Sequence, residues 1–225
     1  DRGNYDAACR WYGQAKSIFE LISDQSGVAS TLQQHARIEM DRGDYDKAKE
    51  LLDRSLEIRR RLQDRLGIAR VLIQLGIVEQ RRTNYGKAKE LYSESLKVNR
   101  ELGVQSGIAD ALHQLGNIES LLANYAEAKK LYHDSLEIKR KLNDHRGIAN
   151  TIHQLANIEF AIHNYDEAEM LYNQSLDIER KLGDKLRIAK TLGNLGYIKE
   201  ARGDLELAER LYEKVLNIFE KSKAI

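Results

Sequence analysis

Residues 124–163 read NYAEAKKLYHDSLEIKRKLNDHRGIANTIHQLANIEFAIH, and the same forty-residue phrase recurs along the chain. Tyr5, Tyr45, Tyr85, Tyr125 and Tyr165 stand 40 apart, Leu205 continues the column, and each follows an Asn or Asp: Asn4, Asp44, Asn84, Asn124, Asn164 and Asp204. Ala8, Ala48, Ala88, Ala128, Ala168 and Ala208 form a second column, and Tyr12, Leu52, Tyr92, Tyr132, Tyr172 and Tyr212 a third. A fixed period in the range of roughly 20 to 50 residues is the signature of stacked repeats. The 225 residues therefore form one array of five periods and part of a sixth, with units near 1–40, 41–80, 81–120, 121–160, 161–200 and 201–225.

Two helices are legible within the quoted period. Asn124 stands where an Asx side chain caps a first helical turn, and Tyr125, Ala128, Leu131, Tyr132, Leu136, Ile138 and Leu142 follow at three- and four-residue spacing along one face. Asn143 to Gly147 interrupt the pattern, and a second helix carries Ile148, Ala149, Ile152, Leu155, Ala156 and Ile158. In that second helix Ala36, Gly76, Gly116, Ala156 and Gly196 share one site, where a larger side chain would push its neighbour away. A helix pair is too small to bury its own apolar face, so the pairs must stack. The expected fold is an all-α solenoid, a right-handed superhelix of antiparallel helix pairs.

Composition agrees. The chain has no proline and one cysteine, and its 36 Lys and Arg against 35 Asp and Glu give a formal charge of +1. Cys9 alone excludes an internal disulfide. Near neutrality removes any global attraction to nucleic acid or an anionic membrane, and no apolar run approaches the ~20 residues of a membrane span. A cytoplasmic protein is expected, and the opening Asp-Arg-Gly rather than Met suggests a piece of a longer one.

Leu112, Leu115-Gly116, the Ala123-Asn124-Tyr125 turn, Ala128 and Tyr132 resemble the tetratricopeptide repeat, in which large, Leu-Gly, Gly-x-Tyr, Ala and aromatic positions recur in this order. The resemblance covers the whole chain. The 40-residue period without proline is similar to the long-repeat branch, as in kinesin light chain, the Pins-type polarity adaptors and prokaryotic signalling arrays. The added residues are expected to lengthen the second helix.

The resemblance implies a concave groove lined by the helices that carry the Leu-Gly pair. Five rows would face it: Ser30, Arg70, Asp110, Asn150 and Lys190; Gln33, Ile73, His113, His153 and Gly193; Gln34, Gln74, Gln114, Gln154 and Asn194; Arg37, Ile77, Asn117, Asn157 and Tyr197; Met40, Gln80, Ser120, Phe160 and Glu200. Amides donate and accept, so the Gln ladder could hold a peptide backbone, or it could only bridge helices. His113 with Asn117 and His153 with Asn157 are similar to the Lys-Asn carboxylate clamp of chaperone-binding members, with His replacing Lys. Ile77, Phe160 and Tyr197 offer apolar anchors.

Catalytic chemistry finds no footing: there is no phosphate loop, no His-Glu-x-x-His and no nucleophile elbow. His113 and His153 could begin a metal site, but Gln33, Ile73 and Gly193 supply no third ligand, so they read as surface histidines and no metal or cofactor is expected. His35 stands in a leucine column. Glu39, Glu79, Glu119 and Glu159 precede Arg60, Arg100, Arg140 and Arg180 by 21 residues, and Lys199 precedes Glu220. Those columns would lie ~18 Å apart along antiparallel helices, so the swapped signs read as coincidence. The arginines suit helix C-terminal dipoles, and the glutamates are expected to contact the start of the next helix.

The function expected is a noncatalytic scaffold that binds a protein or peptide segment in the groove. One alternative is the sensor arm of a larger signalling protein, a nucleotide-dependent one included. An RNA-reading repeat is disfavoured by Asp110, Glu200 and the scarcity of stacking aromatics. Tyr5, Trp11 and Ile18 at one end and Leu216, Ile218 and Phe219 at the other would let copies associate end to end.

Overall fold

The computed structural model describes residues 2–223, with side chains described from Tyr5 to Lys221; the side chain of Asn4 lies outside the described residues. The described residues form eleven helices and no strand: α1 Arg2–Leu21, α2 Gln25–Arg42, α3 Tyr45–Arg61, α4 Arg65–Arg81, α5 Tyr85–Leu102, α6 Gln105–Leu121, α7 Tyr125–Lys141, α8 His145–Ala161, α9 Tyr165–Leu182, α10 Lys185–Ala201 and α11 Leu205–Lys223. No helix among them is long and apolar enough to cross a membrane.

The backbone repeats at half the sequence period. Left-handed residues stand at 23, 43, 63, 83, 103, 123, 143, 163, 183 and 203, always 20 apart, and only Gly43, Gly103, Gly183 and Gly203 among them are glycine. Each turn closes alike: the next residue donates its N–H to the carbonyl five positions back, as Asp64 does to Arg59 at 2.9 Å and Asn164 to Glu159 at 2.8 Å. This is the Schellman closure of a helix C-terminus. α2 to α10 all have 17 or 18 residues. The two helices of each of these periods differ by at most one residue in length. The interruption at Asn143–Gly147 also shrinks, because α8 begins at His145, and Leu142, placed on the buried face by its spacing, is 45% exposed in the turn.

The caps divide by chemistry. Asp24, Asp44, Asp64, Asp144, Asp184 and Asp204 accept the N–H three residues on, at 2.8–3.2 Å. Asn84, Asn124 and Asn164 sit at the same position without capping. Their amides instead donate to Glu79, Glu119 and Glu159 at 2.7, 2.8 and 3.0 Å. The cap expected at Asn124 is thus corrected, while the glutamates do reach the start of the next helix. Gly67 and Gly147 lie in capped first turns, where a Cβ would overlap the capping aspartate.

The chain forms two compact units, Asp1–Ile118 and Glu119–Ile225. In the first, Val28, Leu32, Leu52, Leu56, Leu72 and Leu75 pack in one core. In the second, Tyr132, Leu136, Ile152 and Ile158 form one cluster, and Tyr172, Leu176, Leu192 and Ile198 another. Contact is more extensive within α2–α3, α4–α5, α8–α9 and α10–α11 than within α3–α4, α7–α8 and α9–α10. The small-residue column accounts for this: a Cβ on Gly76 would enter the ring of Tyr92, and one on Gly196 the ring of Tyr212. Ser55, Ser95 and Ser175 are fully buried and donate to the carbonyls of Ala29, Ala69 and Ala149 at 2.8–2.9 Å.

Candidate protein-binding groove

α2, α4, α6, α8 and α10 carry the five rows at equivalent register. In the first unit Ser30, Gln33, Gln34, Arg70, Ile73, Gln74 and Asp110 line a polar cavity of about 450 Å³. In the second, Asn150, His153 and Lys190 line one of about 220 Å³, and Asn157, Phe160, Asn194 and Tyr197 line one of about 250 Å³ with Tyr172. Arg37, Ile77, His113, Gln114, Asn117 and Gln154 stand outside these three cavities. Arg37 is exposed, Ile77, Gln114, Asn117 and Gln154 are half-buried, and His113 is buried.

The amide row is engaged in two ways. It bridges helices where Gln33 donates to Gln74 at 2.8 Å and where Asn194 donates to Asn157 at 3.4 Å. Within a helix, Asn117 donates to Gln114 and Asn157 to Gln154, both at 2.9 Å. The tyrosines beneath reach the same surface: Tyr92 donates to Gln80 at 3.0 Å, Tyr172 to Asn157 at 2.6 Å and Tyr212 to Glu200 at 2.9 Å. Burial raises the Tyr92 and Tyr132 hydroxyls and pushes that of Tyr172 up to about 12, so these phenols remain donors. Tyr197, 58% exposed, meets Tyr212 edge-on with ring centroids 5.9 Å apart.

Both histidines of the rows are 4% exposed, which corrects the surface reading. His153 Nδ1 lies 3.0 Å from Thr191 Oγ1, its Nε2 lies 3.3 Å from the Asn194 amide, and its ring meets Tyr172 edge-on at 5.2 Å. Burial first, then the charges of Lys190 and Arg187, lowers its pKa to about 4. At neutral pH it is an uncharged framework ring, so at this position the clamp's cation has no counterpart.

Sequence reasoning missed a buried polar column that comes up from the other helices. Arg59, Asn99, Lys139 and Glu179 are 1–8% exposed; Arg59 and Asn99 line the first cavity and Glu179 the second. Arg59 pairs with Asp64 and donates to Gln33 at 2.6 Å, its Nε being buried without a partner. Glu179 accepts from Thr191 at 2.8 Å and lies 2.9 Å from the Ser175 hydroxyl, whose one proton it shares with the Ala149 carbonyl. The available signal was a site that helical spacing buries yet that changes from Arg to Asn to Lys to Glu.

The sign change at Lys199 is matched in a column other than the one 21 residues on. The true partners stand 30 residues apart: Lys49–Glu79 at 3.8 Å, Lys129–Glu159 at 2.5 Å, and, with signs reversed, Glu169–Lys199 at 2.5 Å.

No curated protein matches the sequence. Among solved structures, BtubC (BKLC) from P. vanneervenii is similar at 21% identity over 98% of this chain and 91% of that one, with a TM-score of 0.80. The nearly identical TPR-like repeats of a putative kinesin light chain from Podosopora anserina are similar at 20% identity over 88% and 97%, with a TM-score of 0.67. A Rap protein complexed with competence and sporulation factor is similar at 16% identity over 98% and 71%, with a TM-score of 0.76. At these identities the likeness concerns the helical-solenoid fold. The tetratricopeptide repeat profile matches residues 27–101, 107–181 and 147–221, windows that begin near the starts of α2, α6 and α8. With its turns, small-residue contacts and repeat profile in agreement over most of its length, the chain belongs to the tetratricopeptide repeat family.

Proposed function

We propose that this chain is a noncatalytic interaction scaffold whose varied surfaces, on α2 and α4 in the first unit and on α8 and α10 in the second, bind extended or helical segments of a partner protein. The observation that carries the reading is the contrast between columns. The Ala, Ser and Leu-Gly positions repeat with little change and are buried, whereas Ser30, Arg70, Asp110, Asn150 and Lys190 differ at every repeat and border the cavities. A fixed frame under a varied surface suits recognition of an irregular ligand. Gln34, Gln74, Gln154 and Asn194 would contact partner backbone, and Phe160 and Tyr197 would anchor apolar side chains. Membership in a repeat family and the bound factor of the similar Rap protein support this reading.

The test is selection of displayed peptides on the immobilised chain, followed by titration with Arg70→Glu, Asn194→Ala and Tyr197→Ala, each checked for unchanged helical circular dichroism. Loss of at least tenfold in affinity in one or more variants is expected. Selected peptides that bind all three variants as tightly as the parent would overturn the assignment.

A further inference from the structure

Two departures from the repeat meet at one point in the first unit. Where later repeats have Lys49, Lys89 and Lys129, the first has Cys9; where they have Leu75, Leu115, Leu155 and Leu195, it has His35. Both surround Glu39, which is 6% exposed and occupies the column of Glu79 and Glu159. At Lys49–Glu79 and Lys129–Glu159 this place holds a Lys–Glu pair beside a buried leucine, Leu75 or Leu155. In the first repeat, one sulfur, one imidazole nitrogen and one carboxylate oxygen lie within 4.8 Å of one another instead.

The two separations to Glu39 match edges of a coordination polyhedron, and Cys9 Sγ and His35 Nε2 lie within 4.8 Å of each other. Cys9 Sγ is 3.6 Å and His35 Nε2 3.2 Å from Glu39 Oε1. Tetrahedral zinc, with bonds of ~2.3 Å to sulfur and ~2.0–2.1 Å to nitrogen or oxygen, sets edges of about 3.6 Å for sulfur–oxygen and about 3.3 Å for nitrogen–oxygen. His35 and Glu39 stand four residues apart on α2 and so share a face, while Cys9 comes across from α1. One thiolate, one imidazole and one carboxylate form a borderline donor set of the zinc type.

We propose that Cys9, His35 and Glu39 bind a divalent transition metal of the zinc class, joining α1 to α2 and leaving a fourth position for water. Binding releases the thiol proton, and Glu39 enters as its carboxylate. Arg42 is the competing cation: its guanidinium is 3.7 Å from both Cys9 Sγ and Glu39 Oε2. It is also 40% exposed and already paired with Asp6 at 3.1 Å, which gives it a place to go when the metal enters.

The experiment uses the full 225-residue chain, metal-stripped and reduced, titrated with Co²⁺ and then with Zn²⁺ against a chromophoric chelator. Because Cys9 is the only cysteine, a thiolate-to-cobalt charge-transfer band reports this site alone. One cobalt per chain with that band and tetrahedral visible bands is expected, together with a zinc-dependent rise in Tm. Cys9→Lys and His35→Leu install the residues of later repeats and so suit the fold. The first should abolish the band, and the second should weaken zinc binding at least tenfold, with circular dichroism unchanged. Absence of the band at equimolar cobalt, or equal zinc affinity in the parent and both variants, would overturn the proposal.

Discussion

Asn164 and Asp184 occupy equivalent helix starts but act on different partners, and the difference predicts opposite outcomes for one kind of change. Val104 precedes α6 in the column of Asp64, Asp144 and Asp184, where those aspartates cap. Val104→Asp should supply the missing acceptor and stabilise by ~1 kcal/mol. Asn164→Asp puts the same residue type at a cap, yet it should destabilise by about 1–3 kcal/mol, because it replaces the donor to the buried Glu159 with a second carboxylate. Chemical denaturation of the two variants checks both signs. His153 gives a pH dependence. Its pKa is held near 4 in the folded chain, below the ordinary histidine value of 6.5. Between those values the unfolded chain binds the extra proton, so stability is full above about pH 6.5 and falls as the pH drops toward 4. The loss is on the order of 3 kcal/mol at the low end. His153→Gln should flatten this part of the profile, measured from about pH 7 to about pH 4, whereas an unchanged slope would assign it to other groups.

Helix against helix, the small-residue column works with the aromatic column that follows it. Gly76 lies under Tyr92, and the first repeat has the alternative combination Ala36 with Leu52, both buried. Gly76→Ala should cost about 1–3 kcal/mol by overpacking. Adding Tyr92→Leu should cost less than the sum of the single changes, and a double-mutant cycle measures that coupling. The reversed ion pair follows the same logic. Glu169→Lys and Lys199→Glu should each destabilise through facing like charges, and the double variant should recover most of the loss. Arg202 is placed to pair with the carboxylate introduced by Lys199→Glu, as Arg82 does with Glu79 at 3.4 Å. Unfolding midpoints of the three variants decide this. The swap at Lys199 was visible in the sequence, but its partner was not. The matching sign change that stands out lies 21 residues on, at Glu220, whereas stacked hairpins bring the column at 30 residues into contact.

For the molecule as a whole, the forty-residue period made the all-α repeat fold legible, since each column fixes the same local contact again and again. The equality of the two helices was hidden, because the left-handed turn residue is Gly at four turns and Ser, Gln, Thr, Ala, Asn or His at the others, so side-chain identity does not mark the 20-residue spacing. The five rows were named through family resemblance, and residues from each of them line cavities; that they bind a partner is the proposal made above. Arg59, Asn99 and Glu179 were not legible, because they reach those cavities from the opposite helix of the hairpin. The same limit concealed Cys9 with His35 and Glu39, whose proximity needs the packing of α1 on α2. Whether the varied rows of α2, α4, α8 and α10 form the binding surface is decided by a photo-crosslinking residue placed at Asn194 in one protein and at Lys130, exposed on α7, in another, with adducts to a selected peptide compared. A partner seated on those rows gives an adduct from position 194 and none from 130; an adduct from 130 with none from 194 would contradict that placement.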